Sequence, residues 1–312
     1  MILVTGGTGF IGKALIRHLV EMGHPVRTLI RPSPRSPNLP RGVAVDVAVS
    51  GLNDERGLRA AMVGIDTIYH LASGEWRGPQ ASLMEIDIQG TRAVVEAARD
   101  AGVERILYVS HLGADRASAY PVLKAKAIAE EFIRRSKLDY TILRSAIVFG
   151  PNDGLTTGLA SILSSLPFIF LMPGSGDVQL QPLWVEDLVT CLAWSLEDPE
   201  TINRTIDIGG PEYLTFSQVV ELVMHEIGRH RFVIRLPFPY LRGLTVLLDS
   251  LFPNLPVSVY WLDYLAVNRT TALDTMPRVF NLMPARMSQR LAYLQGENWR
   301  SSLFRDLLRR NA

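Results

Sequence analysis

Apolar residues alternate between two rhythms along the first half of the chain. Short apolar runs at 2–4, 26–30, 43–47, 67–72, 105–110 and 140–144 read as strands. Between them the spacing becomes helical. Ile11, Leu15, Leu19 and Met22 share one face, and Gly23 stands where a helix C-cap would. Helices are expected again over 53–62, with Asp54 and Glu55 in the first turn, over 83–101, closed by Gly102, and over 122–136. Strands alternating with helices at this interval predict parallel βαβ units. Right-handed crossovers then give a doubly wound sheet with ligand at the carboxyl ends of its strands.

The rhythm weakens after Gly150. Stretch 154–176 carries no charge, but Pro167 and Pro173 break it, so it reads as a helix and a short strand over 168–171. A helix over 184–196 and a strand over 205–208 can rejoin the first domain. A helix over 216–227 has Thr215 or Ser217 as cap. The rest is apolar and helical, ending in a basic helix over 302–310. The expected fold is therefore α/β, a Rossmann-type doubly wound parallel sheet with a smaller, mostly helical C-terminal domain. The nucleotide domain should comprise 1–150 plus about 183–210, and the smaller domain about 151–182 and 211–312.

Stretch 237–267 is rich in Leu, Val, Phe, Tyr and Trp, yet Arg242, Asp249, Asp263, Pro253 and Pro256 interrupt it. That argues against a transmembrane helix. A lipid-facing surface, a greasy substrate groove and a buried pair of core helices all remain open.

Composition narrows the classes. Apolar residues are 47% of 312, enough for a sizeable core. Lys and Arg number 32 against 31 Asp and Glu, so no basic field points to nucleic acid. Cys191 stands alone, which excludes a disulfide framework and fits a reducing cytosol. The first strand follows Met1 directly, leaving no room for a signal peptide in this reading. No cluster has metal-ligand spacing, so no metal is expected.

The candidate chemistry begins at residues 2–12, ILVTGGTGFIG. Gly6, Gly9 and Gly12 lie between a strand and a helix. Glycines there permit a sharp turn and close backbone approach to a pyrophosphate, which then faces the helix N-terminus. Arg31 follows the second strand, and Arg35 and Arg41 add charge, with no acid between Arg31 and Asp46. A cation at that place suits the 2′-phosphate of NADP, which is favoured over NAD. Tyr120 and Lys124 stand four apart, on one face of a helix. A lysine so placed lowers a phenol's pKa and lets it pass a proton to a substrate oxygen. His111 ends a strand and invites a relay role. His70 lies inside a strand and reads as core.

The motifs TGGTGFIG, HLA at 70–72, DIQGT at 87–91, YVS at 108–110, YPVLK at 120–124, TILR at 141–144 and VEDL at 185–188 resemble the short-chain dehydrogenase/reductase superfamily. The likeness is to its extended or atypical, epimerase-like kind, in particular the branch that includes the nucleotide-binding accessory subunit of respiratory complex I. GPE with LTF at 211–216 and FNLMPARM at 280–287 extend it into the second domain. The resemblance implies that Gly6, Thr8, Gly9, Phe10, Ile11 and Gly12 hold the pyrophosphate. Leu71, Ala72 and Ser73 would line the adenosine-ribose side, and Lys124 would grip the nicotinamide ribose. Ser145, Ala146 and Ile147 would meet the nicotinamide. Catalytic roles would fall to Tyr120 and Lys124, with Ser110 or His111 orienting a substrate carbonyl.

Three places depart from the family pattern. His111 stands where a Ser or Thr is usual, Ser50-Gly51-Leu52 replaces Gly-Asp-Leu, and Ser145 replaces the proline of Leu-Arg-Pro. Two functions follow as expectations. The first is an NADPH-dependent oxidoreductase or epimerase-like enzyme acting on a small apolar or lipid-like carbonyl or alcohol. The second is a catalytically reduced NADPH-binding accessory subunit that docks on a membrane complex. The expected location is cytoplasmic, with the inner face of a membrane as the place of docking.

Overall fold

The structure, a computed structural model, describes residues 1–34, 36–75, 82–166, 168–251 and 259–301. Arg35, Pro167, Pro253, Pro256 and the expected helix over 302–310 lie outside the described residues.

Strand β1 (Ile2–Thr5) is buried throughout and leads through the glycine turn into α1 (Phe10–Glu21). β2 (Val26–Ile30) and β3 (Asp46–Val49) follow, then α2 (Glu55–Ala61), whose cap Asp54 accepts from the Gly57 amide. β3 lies three residues later than the pattern 43–47 suggests at its start. Its register explains why: Arg27 of β2 pairs with Asp46, and their side chains form a 2.7 Å ion pair. After β4 (Thr67–His70), the helix expected over 83–101 is two segments. A π-helical turn (Met84–Gln89) runs directly into α3 (Gly90–Ala101). β5 (Arg105–His111), α4 (Pro121–Arg134) and β6 (Asp139–Ser145) complete the first run.

Beyond it come β7 (Val148–Phe149), α5 (Thr156–Ser165), β8 (Ile169–Pro173), β9 (Gln179–Leu180) and β10 (Leu183–Trp184). Then follow α6 (Val185–Glu197), β11 (Arg204–Ile208), β12 (Leu214–Thr215) and α7 (Phe216–Glu226). The chain ends its described elements with β13 (Phe232–Leu236), α8 (Phe238–Leu251), α9 (Val259–Tyr264) and α10 (Thr275–Phe280), before two short 3-10 turns. α7 opens with a capping box in which Thr215 and Gln218 satisfy each other's backbone amides.

The chain forms two compact units. One holds Met1–Ser145, Val185–Ile208 and Thr275–Leu282; the other holds Ala146–Trp184, Gly209–Asp274 and the remainder from Met283. In the first unit seven parallel strands lie in the order β11-β6-β5-β4-β1-β2-β3. The order reverses between β1 and β4, the switch point where ligands of such sheets sit. Helix α3 packs on both α2 and α4, and α1 packs on α6. Leu3, Ile68, Ile106 and Ile142 of the strands and Leu58, Val94 and Ile133 of the helices form one core. In the second unit Phe149, Leu163, Phe170, Val219 and Leu291 centre another. Besides its helices, the described residues of this unit form three two-stranded ladders: β7 with β10, β9 with β12 and β8 with β13. Among the described residues, no helix is long and apolar enough to cross a membrane.

Candidate functional site

The glycine loop is built for close approach. Gly6 has φ +75°, and a Cβ there would stand 2.7 Å from the backbone of Leu71 and Ala72. A Cβ on Gly12 would stand 2.2 Å from the Gly6 carbonyl oxygen. Gly9 caps α1 without any side-chain hydrogen bond, and the first helical bond runs from the Lys13 amide to the Gly9 carbonyl. The Phe10, Ile11 and Gly12 amides therefore lie outside the helical ladder, at the positive end of the helix. Thr8 is exposed on the same loop. The amides of Leu71 and Ala72 donate to the Thr5 carbonyl and hydroxyl, fixing the loop after β4 against the end of β1. Arg31 is exposed at the end of β2. An open amide cradle, close-packed glycines and a nearby cation fit a dinucleotide.

Parallel register then sets a polar row inside the sheet. Thr5 pairs with His70, and His70 with Tyr108. The Thr91 hydroxyl donates to the Asp87 carbonyl at 2.6 Å, so at 2.9 Å from His70 Nε2 it accepts. That assigns the proton to Nε2, and Nδ1 accepts from the Thr5 hydroxyl at 2.7 Å. Burial, with the Lys126 charge, pushes His70 down to about 3. The ring is a neutral, fully buried strut. Tyr108 stacks on it, and its hydroxyl is buried without a hydrogen-bond partner among the described residues.

Above this row sits an ionic cluster. Asp87, 1% exposed, accepts from the Ser73 hydroxyl at 2.6 Å and the Gly74 amide at 2.9 Å. Lys126 Nζ lies 3.3 Å from Asp87 and 3.6 Å from Glu75. His111 Nε2 lies 2.7 Å from Glu75 Oε2. Burial penalises the Glu75 carboxylate, but the His111 and Lys126 charges and hydrogen bonds outweigh it and hold its pKa well below the carboxylate range. Burial likewise opposes the Lys126 charge. The Tyr108 oxygen and the Glu75 and Asp87 carboxylates overcome it, and the ammonium stays protonated.

The expected residues divide among several places. Tyr120 is the half-buried N-cap of α4, and Lys124 lies exposed on that helix. Lys126 is two residues further, about 200° around the axis, and so faces inward where Lys124 faces out. Ser110 is not in the His111 cluster. Its hydroxyl donates at 2.6 Å to Glu130, which is fully buried and also bonded to Arg134 and Arg144. Ser145 is buried against Ser110, donating to its carbonyl. Ala146 and Ile147 are buried residues at the start of the second unit. Cys191 is buried in α6, and burial pushes its thiol up.

Lys126, Glu75, Asp87 and Tyr108 are the residues that sequence reasoning passed over. A signal existed for two of them. Leu123, Lys126, Glu130 and Ile133 follow the spacing of one buried helix face. Asp87 and Thr91 also bound the DIQGT motif.

The chain belongs to the NAD(P)H-binding family, which matches residues 6–162, half of the chain. It shares the Rossmann fold of the epimerase-like short-chain dehydrogenase/reductases. Over 94% of this chain and 97% of the other, it superposes on UDP-glucose 4-epimerase of Thermus thermophilus, solved with NAD, at TM-score 0.70 and 20% identity. It is 26% identical over 279 residues, 87% of its length, to NADH dehydrogenase (ubiquinone) 1 alpha subcomplex subunit 9 of Arabidopsis thaliana. It spans 69% of that subunit and 63% of its rat counterpart, just under two thirds. It is 28% identical over 251 residues to the ceramide reductase of Caulobacter vibrioides, covering 80% of this chain and 78% of that one.

Proposed function

We propose that the protein is an NADPH-dependent oxidoreductase that acts on a carbonyl or alcohol carried by an apolar, lipid-like molecule. The observation that supports this most is the cluster of Glu75, His111, Lys126 and Asp87 at the carboxyl ends of β4 and β5, beside the glycine loop. A bound nicotinamide supplies or takes up the hydride. The chain's own residues handle the rest. The Phe10, Ile11 and Gly12 amides hold the pyrophosphate, Arg31 pairs with the 2′-phosphate, and Leu71, Ala72 and Ser73 line the adenosine ribose. His111, backed by Glu75, carries the proton that the substrate oxygen gains or loses, and Lys126 keeps Glu75 ionised. Tyr120 competes with His111 for that role. An apolar substrate agrees with the ceramide reductase among the relatives.

A second reading has its own support. The Ser110 hydroxyl is committed to Glu130 and does not offer itself to a substrate. A relative is named as a subunit of NADH dehydrogenase. On this reading the nucleotide is held without turnover and the protein serves a membrane complex.

The test is NADPH oxidation with long-chain 3-keto lipids and long-chain aldehydes, beside NADPH affinity by calorimetry. The enzyme reading expects turnover, lost about 100-fold or more in His111→Gln with affinity within threefold of wild type. If Tyr120→Phe suffers that loss and His111→Gln does not, the proton belongs to Tyr120. NADPH binding with no turnover of any carbonyl sinks the enzyme reading and leaves the second. Arg31→Asp should reverse the preference for NADPH over NADH; an unchanged preference removes Arg31 from the phosphate site.

A further inference from the structure

We infer that the β13–α8 face of the second unit docks on the surface of an anionic lipid bilayer. This inference does not depend on whether the cofactor turns over.

An ordinary surface helix turns polar residues to water. α8 does not. Leu241 and Thr245 face the interior, Thr245 being 1% exposed. Tyr240, Leu244 and Leu247, spaced as i, i+4 and i+7, form the outer face instead, with Val246 beside them. β13 continues the apolar surface. Phe232, Val233 and Ile234 are all exposed on a strand that, among the described residues, pairs only with β8. The Phe232 amide donates to the Phe168 carbonyl, which brings a further exposed aromatic to the same place. Phe168, Phe232 and Tyr240 are 71%, 79% and 72% exposed. Scattered apolar residues need no explanation, but exposed apolar residues gathered on two elements joined by Pro237 do.

Charge identifies the occupant. Residues 226–251 contain Arg229, His230, Arg231, Arg235 and Arg242 against two acids, Glu226 and Asp249. Arg231 and Arg235 donate to main-chain carbonyls, and Arg242 pairs with Asp263 at 2.7 Å. Arg229 and His230 are exposed where the strand begins. A protein interface sets mixed charges around a rim. An excess of positive charge beside aromatic and aliphatic side chains is the pattern of a surface that lies in the headgroup layer of an anionic membrane.

The experiment is flotation of the full chain with vesicles of phosphatidylcholine alone and with 30% phosphatidylglycerol. Binding should be at least tenfold stronger to the anionic vesicles and fall in 0.5 M salt. The triple change Tyr240→Ser, Leu244→Ser and Leu247→Ser should lower binding about tenfold or more, with NADPH affinity unchanged as a check on folding. A second measurement avoids that triple change. Cys191 is buried, so Tyr240→Cys can be labelled alone with a polarity-sensitive dye, whose emission should shift to the blue on anionic vesicles. No flotation on anionic vesicles, or no dye shift, overturns the proposal. So does a concentration-dependent dimer abolished by the triple change, which would make a second copy the occupant. Equal binding to both vesicle types overturns the anionic requirement.

Discussion

At the scale of residues, charge and burial decide what each side chain can do. Lys126→Met would leave Asp87 buried without its cation and Glu75 with His111 alone. Breaking a buried pair in this way costs about 3–5 kcal/mol. Lys124→Met, on the exposed face, should change stability by less than about 0.5 kcal/mol. Urea unfolding of the two variants checks the contrast, and equal effects would show that the buried lysine is not held by the cluster. His70 makes a pH-dependent contribution. Its pKa falls from 6.5 unfolded to about 3 folded. A depressed pKa gives stability that is full above 6.5 and is lost as pH falls toward 3, at up to about 1.4 kcal/mol per pH unit. Asp153 works oppositely, because burial raises its carboxyl from 3.8 to about 6. Its contribution is full below 3.8 and is lost as pH rises through 6. The difference between wild type and His70→Gln therefore isolates the histidine. That difference should shrink steadily from pH 6.5 to 4.5, measured by urea unfolding at each pH; a constant difference would mean that His70 is not held neutral. The sequence made the nucleotide loop readable at this scale, because its glycines answer to local backbone geometry. It did not reveal the ionic cluster. Glu75, Asp87, His111 and Lys126 come from four separate stretches that only the sheet register and the π turn bring together. Between Lys124 and Lys126, the fixed distance from Tyr120 favoured the former, while the helical phase of Leu123 and Ile133 favoured the latter.

At the scale of elements, the strand–turn–helix unit separates fold from binding. Gly9 sits at φ −76° and ψ 174°, which alanine adopts without strain, and an added Cβ would stand 3.1 Å from the Gly6 carbonyl. Gly9→Ala should fold at a cost of about 1 kcal/mol, the loss of a tolerated cap residue. Its NADPH affinity should fall tenfold or more, since the methyl intrudes beside the open amides. Gly12→Ala should lose both, because its Cβ would meet backbone at 2.2 Å, overpacking that costs about 1–3 kcal/mol or more. Thermal unfolding and calorimetry on both variants separate the outcomes, and undiminished affinity in Gly9→Ala would remove the helix N-terminus as the anion site. Helices and strands were legible wherever period and cap agreed, as in α7 with Thr215. The π turn was not legible. Its residues keep a helical apolar pattern into α3, and the wider turn is visible only where it points Asp87 inward. Residues 43–45 are apolar enough for a strand, but the pairing of Arg27 with Asp46 starts the β3 ladder three residues later.

At the scale of the whole molecule, the chain leaves its nucleotide-binding unit after Ser145 and returns to it at Val185 and again at Thr275. The first return was readable from the helix and strand near 184–208. The second was not, because α10 is six residues long and its neighbours carry no strand–helix rhythm. This organisation bears on what a bound nucleotide does. A ligand that binds only the folded state stabilises it by mass action, about 2.7 kcal/mol at 100 times Kd. For a unit of this size that is a rise in Tm of about 5–10 °C. β11 closes one edge of the sheet, so the segment that returns at Val185 should unfold with the glycine loop and share the rise. Hydrogen exchange with and without NADPH checks this: amides of β1 and β11 should gain protection together. Protection confined to β1 and α1 would mean that the returning segment opens independently. The same measurement bears on turnover. A cofactor held for structure should remain through purification, and its removal should lower Tm by the full amount. A cofactor that serves as a substrate should exchange freely, with the rise appearing only when NADPH is added.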